Sequence, residues 1–227
     1  MSLEKALFKE YKMENIIQKT ADFMKERLAK ESSGHDWWHT YRVWQLGKKI
    51  AVAEKANLII VELACLLHDI ADYKLHGGDE EIGPRLAGEW LKKNNVENSI
   101  INQAIEIISK SSFKGIKAQN KISTIEGKCV QDADRLDAMG AIGIARCFAF
   151  GGAKGNTIYD PAIPLKIDMS EEEYKRADHT QINHFYEKLL LLKDLMNTKT
   201  GRKLTENRHK FMKKYLEQFL KEWNLEI

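Results

Sequence analysis

Apolar positions along this chain recur at helical spacing almost throughout. Met13, Ile16, Ile17, Thr20 and Met24 form one stripe, and Met212, Tyr215, Leu216, Phe219, Leu220 and Trp223 form another. Steps of three and four residues keep each set on one face, so both segments predict helices with a single buried side. The same periodicity predicts helices over residues 37–56, 60–75, 80–94, 97–111, 122–150 with a break near Gly140, and 170–197. Ser170 followed by Glu171, Glu172 and Glu173 supplies an N-cap and a capping-box carboxylate for the last of these. Strand patterns are nearly absent, and only 157–167 reads as extended. The prolines fall at 84, 161 and 164, which leaves the helical stretches uninterrupted. Loops are expected at Ser32-Ser33-Gly34, Gly77-Gly78, 113–120 and 150–167, the last of a length that is often functional. No period repeats, which argues against a solenoid. The expected fold is a single all-α domain.

Composition narrows the function classes. With 227 residues, 43% hydrophobic and 30% charged, the chain can bury a core without disulfides and is not wholesale disordered. Its 36 Lys+Arg and 33 Asp+Glu are interspersed, so no basic arm marks a nucleic-acid or membrane partner. Cys65, Cys129 and Cys147 are scattered, without a CxxC pair, and read as reduced thiols. Residues 1–12 are too charged for a secretory signal. The longest apolar runs are broken by Glu62 and Arg146, short of the ~20 residues of a membrane span. A cytoplasmic protein is expected.

The chemistry-bearing residues are His39 in one predicted helix, His68-Asp69 in a second, and Asp132-Ala133-Asp134-Arg135 in a third. Two neutral imidazoles and two carboxylates give a divalent cation four ligands, leaving positions for water or phosphate oxygens. Neighbours on a helix point about 100° apart. His68 and Asp69 therefore share an ion only if it sits between their directions at the helix surface, and other helices must supply the rest. Leu63, Leu66, Leu67 and Ile70 bury the remainder of that helix. Asp132 and Asp134 lie on different faces, and spacing alone leaves the last carboxylate open between them.

His39, Leu66-Leu67-His68-Asp69-Ile70 and Ala133-Asp134-Arg135-Leu136 together resemble the H…HD…D signature of the HD-domain metal-dependent phosphohydrolases. Gly34-His35-Asp36-Trp37-Trp38-His39-Thr40-Tyr41-Arg42-Val43, Ser112-Phe113-Lys114-Gly115, Gln131-Asp132-Ala133-Asp134-Arg135-Leu136-Asp137-Ala138 and the C-terminal stretch with Arg208-His209 are similar to the bacterial YedJ/YpgQ-type subgroup. The likeness covers nearly the whole chain. A lone HD dipeptide would be weak; four ligands in order are not. The resemblance implies a single HD domain over 1–227, a helical bundle around a metal site. Its ligand-bearing core would span about 30–150, with C-terminal helices at about 170–225 packed on it.

The same resemblance implies metal ligands His39, His68, Asp69 and Asp134, with Asp132 orienting a neighbour. Asp72, three residues beyond Asp69, is the candidate to orient or deprotonate the attacking water. Arg42, Lys74 and Lys114 are candidate phosphate contacts, and Lys154 a weaker one. Asp137, on the Asp134 face, and His35 are candidate substrate contacts, while Asp36 fits a helix N-cap equally well. Trp37 and Trp38 can stack on a base but read more readily as core. Gly151-Gly152 matches no phosphate-binding loop. No histidine occurs between His76 and His179, which favours a mononuclear centre over the dinuclear relatives. The implied cofactor is one divalent ion, Mn²⁺ first, with Mg²⁺, Co²⁺, Ni²⁺, Fe²⁺ or Zn²⁺ as alternatives. The implied ligand is a small-molecule nucleotide or phosphorylated metabolite, and the implied reaction converts a nucleoside triphosphate to monophosphate and pyrophosphate. A 5′-nucleotidase, a phosphodiesterase and a catalytically silent nucleotide-binding module are the alternatives. Apolar helix faces are compatible with a homodimer.

Overall fold

The computed structural model describes residues 3–31, 34–71, 79, 81–111, 122–167, 169 and 180–226, with side chains from residue 11 onward. In chain order the helices are α1 (Leu3–Arg27), α2 (Trp37–Glu54), α3 (Leu58–Leu67), α4 (Ile82–Lys93), α5 (Asn98–Ser111), α6 (Ile125–Asp137), α7 (Gly140–Lys154), the short α8 (Gln181–His184) and α9 (Lys199–Trp223). Among the described residues there is no strand, and the all-α architecture is that of the sequence reading. No single helix among them is long and apolar enough to cross a membrane.

Helix α3 is the centre of the packing. Every residue from Ile60 to Leu67 is buried, Glu62 included, and a helix apolar on all sides needs neighbours on all sides. Helices α1, α2, α5 and α6 provide them. Each buried Leu of α3 stabilises the fold by about 1.5–3 kcal/mol. Glu62 is tolerated because Trp44 Nε1 donates to it at 2.6 Å, with Lys48 at 3.4 Å. A β-carbon on Gly47 of α2 would lie 2.5 Å from Cys65 Sγ of α3, so only glycine allows the two helices this approach. The α1 stripe is buried as its spacing predicts.

The predicted 122–150 helix is two helices. α6 ends at Asp137, α7 begins at Gly140, and their axes differ by 73°. Gly140 has φ +73°, a left-handed conformation that costs a residue with a β-carbon roughly 1–2 kcal/mol.

Beyond the bend, α9 docks on α6 and α7. Asp132 fastens its start: the carboxylate accepts from the Asn197 backbone N–H and side-chain amide, both at 2.9 Å, and from Thr198 N–H and Oγ1, both at 2.8 Å. Arg135 donates to the Leu195 carbonyl and Arg208 to the Leu136 carbonyl. Asp132 is therefore no orienter of a metal ligand, because its oxygens are engaged in holding the C-terminal helix.

Two further expectations change. Of the predicted 170–197 helix, 170–179, with the Ser170 cap, lie outside the described residues. The remainder is α8, a π turn at Phe185–Leu189 and a 3₁₀ turn at Leu191–Lys193. Ile182, Phe185, Leu189, Leu192 and Met196 all stay buried. The apolar spacing is satisfied although the backbone is not one helix. The 157–167 stretch pairs with no strand. Its Thr157 and Ile158 carbonyls accept from Gln181 and Ile182 N–H groups at 3.0 Å, and Asp160 closes a turn with Ala162 N–H at 2.8 Å.

Candidate metal centre

Three of these elements deliver side chains to one point. His39 stands in the first turn of α2, whose N-cap, Asp36, accepts from the His39 backbone N–H at 2.9 Å. This is a capping role for Asp36. The predicted 60–75 helix instead ends at Leu67, with His68 as its C-cap and Asp69 in the turn beyond. Arg27 of α1 donates to the Ile70 carbonyl at 2.7 Å and holds that turn. His68 keeps helical dihedrals, φ −60° and ψ −34°, and its Nε2 comes 3.4 Å from Asp69 Oδ2, so the adjacent pair can face one point at the end of the helix. Asp134 projects from the last turn of α6.

The four groups converge. His39 Nε2 lies 3.1 Å from His68 Nε2, 3.3 Å from Asp69 Oδ2 and 3.5 Å from Asp134 Oδ1, and His68 Nε2 lies 3.9 Å from Asp134 Oδ1. Two ligands about 2.1 Å from a common ion and about 90° apart are about 3.0 Å from each other. Among the described residues His39, His68 and Asp134 form the group whose ligand atoms could share one ion, with Asp69 Oδ2 beside the two imidazoles. Ring tautomers supply a second test. His39 Nδ1 faces Asp137 Oδ2 at 2.8 Å, and His68 Nδ1 faces the Cys65 carbonyl at 2.8 Å. A carboxylate and a carbonyl only accept, so each Nδ1 carries the proton and each Nε2 turns a lone pair on the other. Asp69 Oδ2, buried among them, has no hydrogen-bond donor. Two lone pairs and two carboxylate oxygens at this range attract a cation. The residues fit a divalent metal.

Charge tells the same story. Burial opposes a proton on His39, yet the bond to Asp137 and the nearby Asp69 carboxylate outweigh that and raise its pKa. Burial likewise opposes the Asp69 carboxylate, but the surrounding imidazoles, His68 first, hold it well below the usual range. The metal-free centre draws in a proton, and a metal would displace it.

The other predicted site residues separate. Asp137 is 1% exposed. Its oxygens accept from His39, from Arg42 Nε at 2.7 Å and Nη2 at 3.0 Å, and meet Arg146 Nη1 at 3.3 Å. So enclosed, it stands behind the ligand His39 and away from any substrate, which corrects its expected role. Arg42 is tied to Asp137 yet remains 31% exposed beside the centre. His35 sets its ring edge-on to His39 with centroids 5.7 Å apart, and its buried Nδ1 has no partner. Burial first, then the charges of Arg146 and His39, lower its pKa against Asp69 and Asp134, which leaves a neutral imidazole at the rim. Lys154 lies over the Phe150 ring. Trp37 is partly buried, but Trp38 is 59% exposed and is not core. Asp72, Lys74 and Lys114 lie outside the described residues. Arg146 was missed by sequence reasoning; its signal was a lone charge interrupting the apolar run of α7.

Residues 37–139, which contain all four converging groups, match the family described as HD domain. The chain is 44% identical over 201 residues to the uncharacterized protein YpgQ of Bacillus subtilis, covering 86% of this chain and 87% of that one. A solved structure of YpgQ in complex with ADP aligns with a TM-score of 0.69 at 41% identity, over 89% of this chain and 97% of the other. An HD-superfamily hydrolase from Bacillus thuringiensis aligns with a TM-score of 0.69 at 44% identity, over 93% and 98%. On these likenesses the chain belongs to the HD-domain family, among the HD-superfamily hydrolases.

Proposed function

We propose that this protein is a metal-dependent phosphohydrolase that converts nucleoside triphosphates to monophosphates and pyrophosphate. The observation that carries the reading is the convergence of two imidazole lone pairs with the Asp69 and Asp134 oxygens at 3.1–3.9 Å. His39, His68, Asp69 and Asp134 would hold one ion, Mn²⁺ first among the candidates that this ligand set suits. When bound, the ion supplies a Lewis acid that polarises a phosphoryl oxygen and acidifies a nearby water. Asp72, three residues past Asp69, takes the proton of the attacking water. Attack at the α-phosphorus breaks its bond to the bridging oxygen, and pyrophosphate departs. Arg42, exposed beside the centre, and Lys74 and Lys114 from the adjoining sequence neutralise the charge on the leaving phosphates. His35, neutral at the rim, offers a hydrogen bond to substrate.

The ADP held by the YpgQ structure supports a nucleotide as the ligand. Three free, buried cysteines support a reducing compartment such as the cytoplasm. The whole chain is read as one HD domain, since Asp132 fastens α9 to the core, and its solution mass tests the homodimer. The deciding experiment incubates the Mn²⁺-loaded protein with dNTPs, NTPs, nucleoside monophosphates and a phosphodiester, and separates phosphate from pyrophosphate. Pyrophosphate with a monophosphate is the expected result. Phosphate released from monophosphates, with triphosphates intact, would make the protein a nucleotidase. No product from any of them would overturn the enzyme reading.

A further inference from the structure

Behind the four converging groups lies a second cluster that neither the family signature nor the reaction accounts for. Asp137, at the end of α6, is buried, and two other helices aim donors at it: His39 and Arg42 from α2 and Arg146 from α7. The bend at Gly140 makes this possible. In a straight helix Arg146 would stand about 13.5 Å along the axis from Asp137. With the axes turned by 73°, its guanidinium returns to 3.3 Å and also donates from Nε to the Gly34 carbonyl at 2.7 Å. Arg146 thus ties the segment preceding α2 to the carboxylate that faces His39.

We infer that Asp137 is a positioning residue, which by accepting from His39 Nδ1 fixes the tautomer and direction of the ring and so sets the metal affinity of the centre. The inference rests on the metal reading proposed above. A free imidazole prefers the proton on Nε2, the nitrogen that here must stay bare. A buried carboxylate at Nδ1 reverses that preference, and the two guanidiniums keep the carboxylate in place and charged. Partners of this kind on metal-binding histidines typically change metal affinity 10–100-fold. Arg42 and Arg146 act on the ion through Asp137 and His39.

The test measures Co²⁺ affinity and the His39 ring tautomer in wild-type and Asp137→Ala protein. The tautomer is read from ring-nitrogen NMR shifts of the metal-free protein at a pH above the His39 titration. The wild type should show Nδ1–H and bind Co²⁺. Asp137→Ala should move His39 toward Nε2–H and weaken Co²⁺ binding about 10–100-fold. Should Asp137→Ala not fold, Asp137→Asn takes its place: its amide must set a donor against His39 or Arg42, and the affinity should fall in the same direction. A merely structural role would lower the melting temperature and leave tautomer and affinity where they were. Variant binding within twofold of wild type, with Nδ1–H retained, would overturn the inference while the metal reading stands. A wild type that binds no Co²⁺ would overturn both.

Discussion

His39 and His68 owe their usefulness to what holds their other nitrogen. A carboxylate fixes one ring and a main-chain carbonyl the other, so both present a lone pair to the same point. Replacement of His68 by alanine removes one of these donors without touching the core of α3. His68→Ala should lose the metal-induced rise in melting temperature and lose turnover with it. In the wild type that rise corresponds to about 2.7 kcal/mol at a metal concentration 100 times Kd. Thermal unfolding with and without Mn²⁺ measures it, and a variant that keeps the full rise would remove His68 from the centre. Asp137 makes a separate prediction about acid. Its folded-state pKa lies below that of an ordinary aspartate, because His39, Arg42 and Arg146 outweigh its burial. The unfolded chain therefore binds this proton more readily than the folded one. The stabilisation is complete above the unfolded value of about 3.9 and is lost as pH falls toward the folded value. Metal-free wild type should lose melting temperature below about pH 4 more steeply than Asp137→Asn does.

Among the elements, the α6–α7 corner and the start of α9 do the positioning. Gly140 turns the corner at φ +73°, and a β-carbon there would meet Arg208 Cγ at 3.1 Å. Gly140→Ala should cost roughly 1–2 kcal/mol from the backbone alone, more if Arg208 must leave the Leu136 carbonyl, and chemical denaturation reads the loss. Asp132 is the larger anchor. Asp132→Ala leaves the buried donors of Thr198 and the part-buried donors of Asn197 without their acceptor, at a cost of about 3 kcal/mol. Amide exchange should rise first at the N-terminal end of Lys199–Trp223, and Co²⁺ affinity per folded molecule should hold. A fall in that affinity would mean that Asp132 also reaches the centre.

For the molecule as a whole, α3 is enclosed by α1, α2, α5 and α6, and α9 is fastened to α6. The proposed single domain predicts one cooperative unit. Fluorescence of the tryptophans, spread from Trp37 to Trp223, and far-ultraviolet circular dichroism should report coincident melting curves. Separate transitions would divide the chain into two domains. Helix spacing made the architecture legible, because burying one face per helix is a constraint written residue by residue, as Met13 to Met24 and Met212 to Leu216 illustrate. The ligand candidates His39, His68 and Asp69 were legible too, through residue type and order, whereas Asp134 was chosen over Asp132 by the family resemblance. Sequence did not reveal that α3 stops at Leu67, that Asp132 faces α9, that Trp38 is exposed, or that Arg146 turns back to Asp137. Periodicity records which face is apolar. It does not record where a neighbouring Arg27 captures a carbonyl or how a 73° bend redirects the next helix. Those are contacts between residues far apart in the chain, and only the packed structure brings them within hydrogen-bond range.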